Sequence, residues 1–211
     1  MTIETPIFAA QSAGVSFVRD DRGLQSFRDP ACAAAIWDRQ VPLGVITWLA
    51  NLAPGTLPNG RVVLQANTVT DTVRHLCDMA GMPDNEHRDW LIGDISNLAT
   101  RFAGLTGATY LRLRLQAVTT NACRKFHLDA IMGRLVCTYR GTGTQYGTSH
   151  KGQDPTEIYT VPTGAPILLR GSLWPSNPPA GLLHRSPPIE GTDETRLVLV
   201  LDPIFDLEDT E

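Results

Sequence analysis

The residues of this chain best suited to chemistry are two histidines, an aspartate and an arginine. His127 and Asp129 stand two positions apart in Lys125-Phe126-His127-Leu128-Asp129, and His184 follows 55 residues after the aspartate. Two neutral imidazoles and one carboxylate can occupy one face of an octahedral metal and leave the opposite face to reactants, the usual arrangement at an oxygen-activating ferrous centre. Arg196, 12 residues past His184, is placed to hold an acidic co-substrate, because a guanidinium fork matches two carboxylate oxygens and stays charged at physiological pH. An H-x-D tripeptide also occurs in chains that hold no metal, and Arg196 could equally project from a strand into solvent.

Composition narrows the class. With 211 residues, 42% hydrophobic and 19% charged, the chain suits a single domain with one substantial core. A net charge of -4 gives no broad attraction to nucleic acid or anionic lipid, so neither partner is expected. No apolar run reaches membrane-spanning length and the N-terminal MTIETPIFAAQSAG lacks the pattern of a secretory signal, which makes a cytoplasmic protein the expectation. Cys32, Cys77, Cys123 and Cys137 form no C-x-x-C pair, so reduced thiols are expected. Cys123 and Cys137 nonetheless bracket His127, and thiolates with an imidazole favour zinc.

These groups need a scaffold. Asp29-Pro30 before Ala31–Arg39 reads as a helix start, with Asp29 as N-cap and Pro30 in the first turn. Gly44–Asn51 and Thr70–Met79 read as further helices. In Asp84–Phe102, Trp90, Leu91, Ile95, Leu98 and Phe102 make the stripe of an amphipathic helix. Near Ala108 the period changes from 3.6 to 2: Leu111, Leu113 and Leu115 alternate with Arg112, Arg114 and Gln116, as on a strand with one core face and one polar face. Short strands are expected at 123–128, 134–140, 156–161, 166–170, 181–185 and 195–202. The sum is one α+β domain over 1–211, mainly helical over 1–105, a β-barrel core over 106–203 and an acidic tail over 204–211.

Residues 108–203 resemble the iron- and 2-oxoglutarate-dependent dioxygenases, prolyl-hydroxylase-like members above all. In that superfamily H-x-D precedes an apolar strand with a tyrosine, as in Arg134-Leu135-Val136-Cys137-Thr138-Tyr139, and a later histidine is followed by proline, as in His184-Arg185-Ser186-Pro187. The last strand carries a basic residue, as in Arg196-Leu197-Val198-Leu199-Val200. Over most of its length the chain also resembles an uncharacterised bacterial family with F-H-x-D, C-T-Y-x-G-x-G-T and H-R-S-P-P motifs, whose name records no activity. The superfamily resemblance implies a double-stranded β-helix (jelly-roll, cupin-like) barrel braced by the N-terminal helices. It implies Fe(II) on His127, Asp129 and His184, 2-oxoglutarate paired with Arg196 and assisted by the Tyr139 hydroxyl, and hydroxylation of a small molecule or a protein side chain. Arg140 and Gly141 depart from it, standing where a Leu-Asn pair is common.

Several residues keep two readings. Tyr139 is a co-substrate donor or a core aromatic, and Trp174 walls a substrate pocket or covers the core. Arg185 and Ser186 orient His184 or contact substrate, while the Gly141–Thr144 segment is a turn or an anion cradle. Two other functions remain open: a non-catalytic zinc protein using Cys123, His127 and Cys137, and a cupin-like isomerase or binder using the triad with another metal.

Overall fold

The structure is a computed structural model that describes residues 14–149, 152–175 and 181–207. Among the described residues, ten strands and three α-helices follow in the order β1 (Val15–Val18), β2 (Ala34–Trp37), α1 (Leu43–Asn51), β3 (Gly60–Leu64), α2 (Val69–Met79), α3 (Glu86–Thr106), β4 (Tyr110–Val118), β5 (Gly133–Arg140), β6 (Gln145–Thr148), β7 (Tyr159–Thr160), β8 (Pro166–Arg170), β9 (Leu182–Arg185) and β10 (Arg196–Ile204). They form a seven-stranded sheet ordered β1-β2-β8-β5-β10-β4-β3 and a three-stranded sheet ordered β7-β6-β9. Every strand pair is antiparallel except β1 with β2.

Strand alternation divides the large sheet into two faces. Leu111, Leu113 and Leu115 of β4, Leu135, Cys137 and Tyr139 of β5, and Leu197, Leu199 and Leu201 of β10 join the helices in one core. Val136, Ile167, Leu169 and Val198 point the other way and meet Tyr146, Val161 and Leu182 in a second cluster between the sheets. α3 fills the first core. Asn85 caps it by accepting hydrogen bonds from the amides of His87 and Arg88, and Gly107, at φ 72°, closes it in the left-handed conformation that a side chain disfavours. Leu91, Ile92, Ile95, Leu98 and Phe102 are essentially fully buried, each contributing about 1.5–3 kcal/mol.

The expected helices at 44–51, 70–79 and 84–102 are present, and strands form within all the expected intervals except one. Ala31–Arg39 is not a helix. Ala34–Trp37 is strand β2, seated between β1 and β8, and Asp29 instead accepts from the Ala31 amide in a turn. Ala34, Ala35 and Ile36 are fully buried; the small side chains fit a strand covered on both faces, and that pairing overrides alanine's helical preference. The first half therefore also supplies both edges of the large sheet, β1 at one end and β3 at the other. The expected strand at 123–128 reduces to a single bridge between His127 and His184. Gly141–Thr144 is a connection into β6, which the sequence reading did not anticipate. Residues 208–211 of the acidic tail lie outside the described residues. Among the described residues no helix is long and apolar enough to cross a membrane.

Candidate metal centre

The two histidines meet through backbone pairing. His127 and His184 exchange N–H···O bonds of 3.1 Å in each direction, which sets their rings side by side with centroids 4.5 Å apart. Asp129 reaches them from the loop before β5. That loop is tied down where Ser172 N donates to Asp129 O (2.8 Å) and Leu173 N to Ile131 O (3.1 Å). A Cβ at Gly171 would stand 1.9 Å from Ile131 O, so only glycine lets the loop approach this closely.

His127, Asp129 and His184 offer ligand atoms within 4.8 Å of one another, the only such group of metal-binding side chains among the described residues. His127 Nδ1 lies 2.9 Å from Lys125 O. It therefore donates there, and the Nε2 lone pair is left facing the site, 3.6 Å from Asp129 Oδ1. His184 Nε2 lies 3.1 Å from Asp129 Oδ2, but without hydrogen-bond alignment, so among the described residues this buried oxygen has no donor. An unsatisfied buried carboxylate oxygen is costly. A cation between the three groups removes that cost, and the donor set of two imidazoles and one carboxylate suits Fe(II).

The electrostatics agree with that role. Burial pushes the His184 imidazole down, which keeps it neutral near pH 7. The facing Asp129 carboxylate, which favours a proton on the imidazole, raises His127 against the effect of burial. Burial opposes ionisation of Asp129, yet its contacts with His127 and His184 and the Arg134 charge outweigh it and hold the carboxyl well below the usual range. Arg134 donates to Asp129 Oδ1 (2.7 Å) and grips both oxygens of Asp202 (2.6 and 3.0 Å), while Arg114 donates to Asp202 Oδ2 (3.1 Å). This chain of charges was not anticipated from the sequence. Its signal was strand parity, since Arg114, Arg134 and Asp202 share a sheet face with Arg196.

Arg196 lines the same cavity as His127 and His184. It is 2% exposed, its Nε donates to Thr142 O (2.6 Å) and its Nη2 to Thr138 Oγ1 (3.2 Å). Among the described residues no carboxylate pairs with it; Glu194 is engaged by Thr142 N and Oγ1. Burial lowers Arg196 to about 10 against the opposing charge of Glu194, which leaves it a buried cation at neutral pH. The cavity measures about 110 Å3, against about 10–15 Å3 for a single water, so it admits a ligand of several non-hydrogen atoms.

Other expected site residues are distributed unevenly. Arg185, Ser186 and Cys123 line the cavity. Tyr139 does not: it lies on the helix face of β5 and donates to Asp94 Oδ2 (2.6 Å), which also holds Arg39. Its ring shares the parity of Leu135 and Cys137, and a bulge then sets both Tyr139 and Arg140 on that face, where Arg140 caps the last carbonyls of α1. Trp174 packs edge-on against Phe27 at 4.8 Å and under the Arg170 guanidinium, covering the core rather than the cavity. A zinc site of Cys123, His127 and Cys137 is not formed. Cys137 is buried on the opposite face of β5, where burial pushes its thiol up to about 12, so it is protonated and turned away from His127.

Comparison with known proteins gives one sequence match and a set of distant folds. No curated protein matches the chain. Among solved structures it is similar to dioxygenase for auxin oxidation 1 from Arabidopsis thaliana, determined as a 2-oxoglutarate binary complex, at 9% identity and TM-score 0.49, covering 92% of this chain and 94% of that one. The dioxygenase for auxin oxidation of rice follows at 14% identity and TM-score 0.46, with 92% and 84% covered. A Pseudomonas putida prolyl-4-hydroxylase is similar at 17% identity and TM-score 0.35, with 79% and 97% covered. The family model described as "Protein of unknown function (DUF1826)" matches residues 19–202, and the chain belongs to that family.

Proposed function

We propose that this protein is a non-haem Fe(II), 2-oxoglutarate-dependent oxygenase that hydroxylates its substrate. One observation carries the reading: two ligands of the His127–Asp129–His184 triad line a single cavity with a buried arginine that no carboxylate pairs among the described residues. The strand order supports a double-stranded β-helix, with β8-β5-β10-β4 in the large sheet opposed to β7-β6-β9 and the His127 bridge extending the small one.

In this reading His127, Asp129 and His184 hold Fe(II). When bound, the metal supplies dioxygen activation coupled to oxidative decarboxylation of 2-oxoglutarate to succinate. The chain supplies position. Arg196 receives the far carboxylate of the co-substrate, and its remaining donors are already oriented by Thr142 O and Thr138 Oγ1. Val136, Val198 and Val200 give the cavity that Arg196 shares with the two histidines an apolar part of its wall, and low-dielectric surroundings strengthen the charge pairing. Arg134 holds Asp129 Oδ1, leaving Oδ2 to face the imidazoles.

The test is anaerobic titration of the Fe(II)-loaded protein with 2-oxoglutarate, following the weak visible charge-transfer band of the chelate. The band is expected in the wild type, absent in His127→Ala, and shifted to higher 2-oxoglutarate concentration in Arg196→Ala. No band in the wild type overturns the reading. A band indifferent to Arg196 removes the co-substrate role and returns the triad to a cupin-like isomerase or binder.

A further inference from the structure

The cavity holds more positive charge than the metal and co-substrate use. Arg114, Arg134, Arg185 and Arg196 all line it, in a chain whose net charge is -4. The carboxylates that pair with them are Asp129 and Asp202. A divalent metal and a 2-oxoglutarate dianion cancel one another, so two guanidinium charges stay uncompensated. Arg134 is spent on the two aspartates, and Arg196 belongs to the co-substrate in the reading above.

Arg185 is built as a receptor. It follows His184 directly, its guanidinium lies 4.4 Å over the Phe126 ring, and its Nε donates to Gln145 Oε1 at 2.8 Å. The ring fixes the plane of the fork and the amide oxygen fixes its rotation, both without neutralising it. Among the described residues no carboxylate pairs with it, and the Nη1/Nη2 edge has no hydrogen-bond partner. An arginine that merely packed on Phe126 would gain little from this orientation; a two-oxygen anion matches that edge end-on. From the large sheet, Arg114 shares Asp202 with Arg134 and keeps a buried Nε without an acceptor.

We propose that the primary substrate carries an oxyanion, a carboxylate or a phosphate, that docks on the free edge of Arg185 with Arg114 as a second positive group on the same cavity. This rests on the oxygenase reading and adds the substrate class to it. The acid group anchors the molecule at the end of the cavity away from its reacting carbon, so that binding energy at a remote group positions the reacting one.

The experiment uses Fe(II)-loaded protein saturated with 2-oxoglutarate under anaerobic conditions, titrated by calorimetry with benzoate and, separately, inorganic phosphate. Saturable one-site binding of at least one probe is expected, weakened about tenfold or more in Arg185→Gln and partly restored in Arg185→Lys, as for loss of a charge-assisted hydrogen-bond pair. Arg114→Gln also weakens it, and 2-oxoglutarate affinity stays unchanged in Arg185→Gln, which also reports that this variant is folded. Preference for benzoate identifies a carboxylic acid as the substrate class, and preference for phosphate a phosphate ester. Absence of saturable binding by either probe, or binding indifferent to Arg185, overturns the inference alone. A parallel loss of 2-oxoglutarate affinity in Arg185→Gln assigns Arg185 to the co-substrate and overturns it as well. Failure of the wild type to bind 2-oxoglutarate sinks the oxygenase reading and this inference together.

Discussion

Asp202→Asn is the sharpest perturbation of the candidate site, because one nearly isosteric change removes the charge on which two arginines depend. The carboxylate is 4% exposed and accepts from Arg134 Nε (2.6 Å), Arg134 Nη2 (3.0 Å) and Arg114 Nη2 (3.1 Å). Removing one partner of a buried ion pair costs about 3–5 kcal/mol. The side chains of Arg134 and Arg114 are 17% and 25% exposed, so water partly rescreens them and the lower end applies. A loss of about 3 kcal/mol corresponds to a fall in Tm of about 6–12 °C for a domain of this size.

The same substitution acts on the metal, and there two effects carry one sign. Removal of a nearby negative charge disfavours a divalent cation. Arg134, left with Asp129 as its remaining counter-charge, is also drawn more tightly onto the ligand that the metal must share. Affinity for Co(II) or Zn(II), measured by competition with a chelator, is expected to fall about 10–100-fold, the usual range for supporting partners of metal ligands. Thermal unfolding of the metal-free protein measures the stability change separately. Arg114→Met placed in the Asp202→Asn background should recover part of that loss, whereas alone it destabilises. A Tm within about 2 °C of wild type together with unchanged metal affinity would refute the charge chain as a working part of the site.

Four further outcomes are expected. Tyr139→Phe removes the donor to Asp94 and should lower unfolding free energy by about 1.5–3 kcal/mol in urea titration while leaving 2-oxoglutarate affinity untouched; a loss of that affinity would place the hydroxyl in the cavity. Mass spectrometry after brief alkylation of the native protein should find Cys123 labelled and Cys32, Cys77 and Cys137 protected, since Cys123 is exposed and burial raises the Cys77 and Cys137 thiols to about 11 and 12. Cys123→Ser and Cys137→Ser should retain metal affinity, and its loss in either would revive the zinc reading. Gly171→Ala forces a methyl against Ile131 O and should weaken metal binding by about tenfold or more by moving the Asp129 loop, whereas unchanged affinity would show that the loop position is not critical.

The candidate ligands were legible because their chemistry is local in sequence: H-x-D and a later histidine can be read without knowing how strands pair. The long helix α3 was legible from the 3.6 period, α1 and α2 from apolar stretches, and β4 from strict alternation of leucine with arginine or glutamine. What failed depended on partners. Ala34–Trp37 carries helix-favouring alanines, and only its place between β1 and β8 makes it a strand. The segment before His127 has strand composition but finds a partner at one residue pair. Of the two readings kept for Tyr139, the resemblance pointed to the co-substrate, and its parity with Leu135 and Cys137 points to the core, where it lies. Arg112, Arg114 and Gln116 were read only as the polar face of the strand, and the second sheet turns Arg114 and Gln116 into cavity wall.

Parity also explains how a cavity lined with charge is held in a protein of ordinary composition. Arg196, Val198 and Val200 face the cavity, and Asp202 lies on the same side of the strand, because Leu197, Leu199 and Leu201, all fully buried, face the helices. A slip of one residue in β10 would exchange the two sets, sending a guanidinium and a carboxylate into the helix core and three leucines toward the metal ligands. Each leucine contributes about 1.5–3 kcal/mol by burial, and β10 is flanked by β4 and β5, whose leucines impose the same register from both sides. The site's charges repel or desolvate one another and contribute little net stability. Hydrophobic burial on the opposite face fixes their positions, so substitutions that leave the cavity untouched but loosen Leu199 or Leu201 disturb Arg196 and Asp202 through the strand they share.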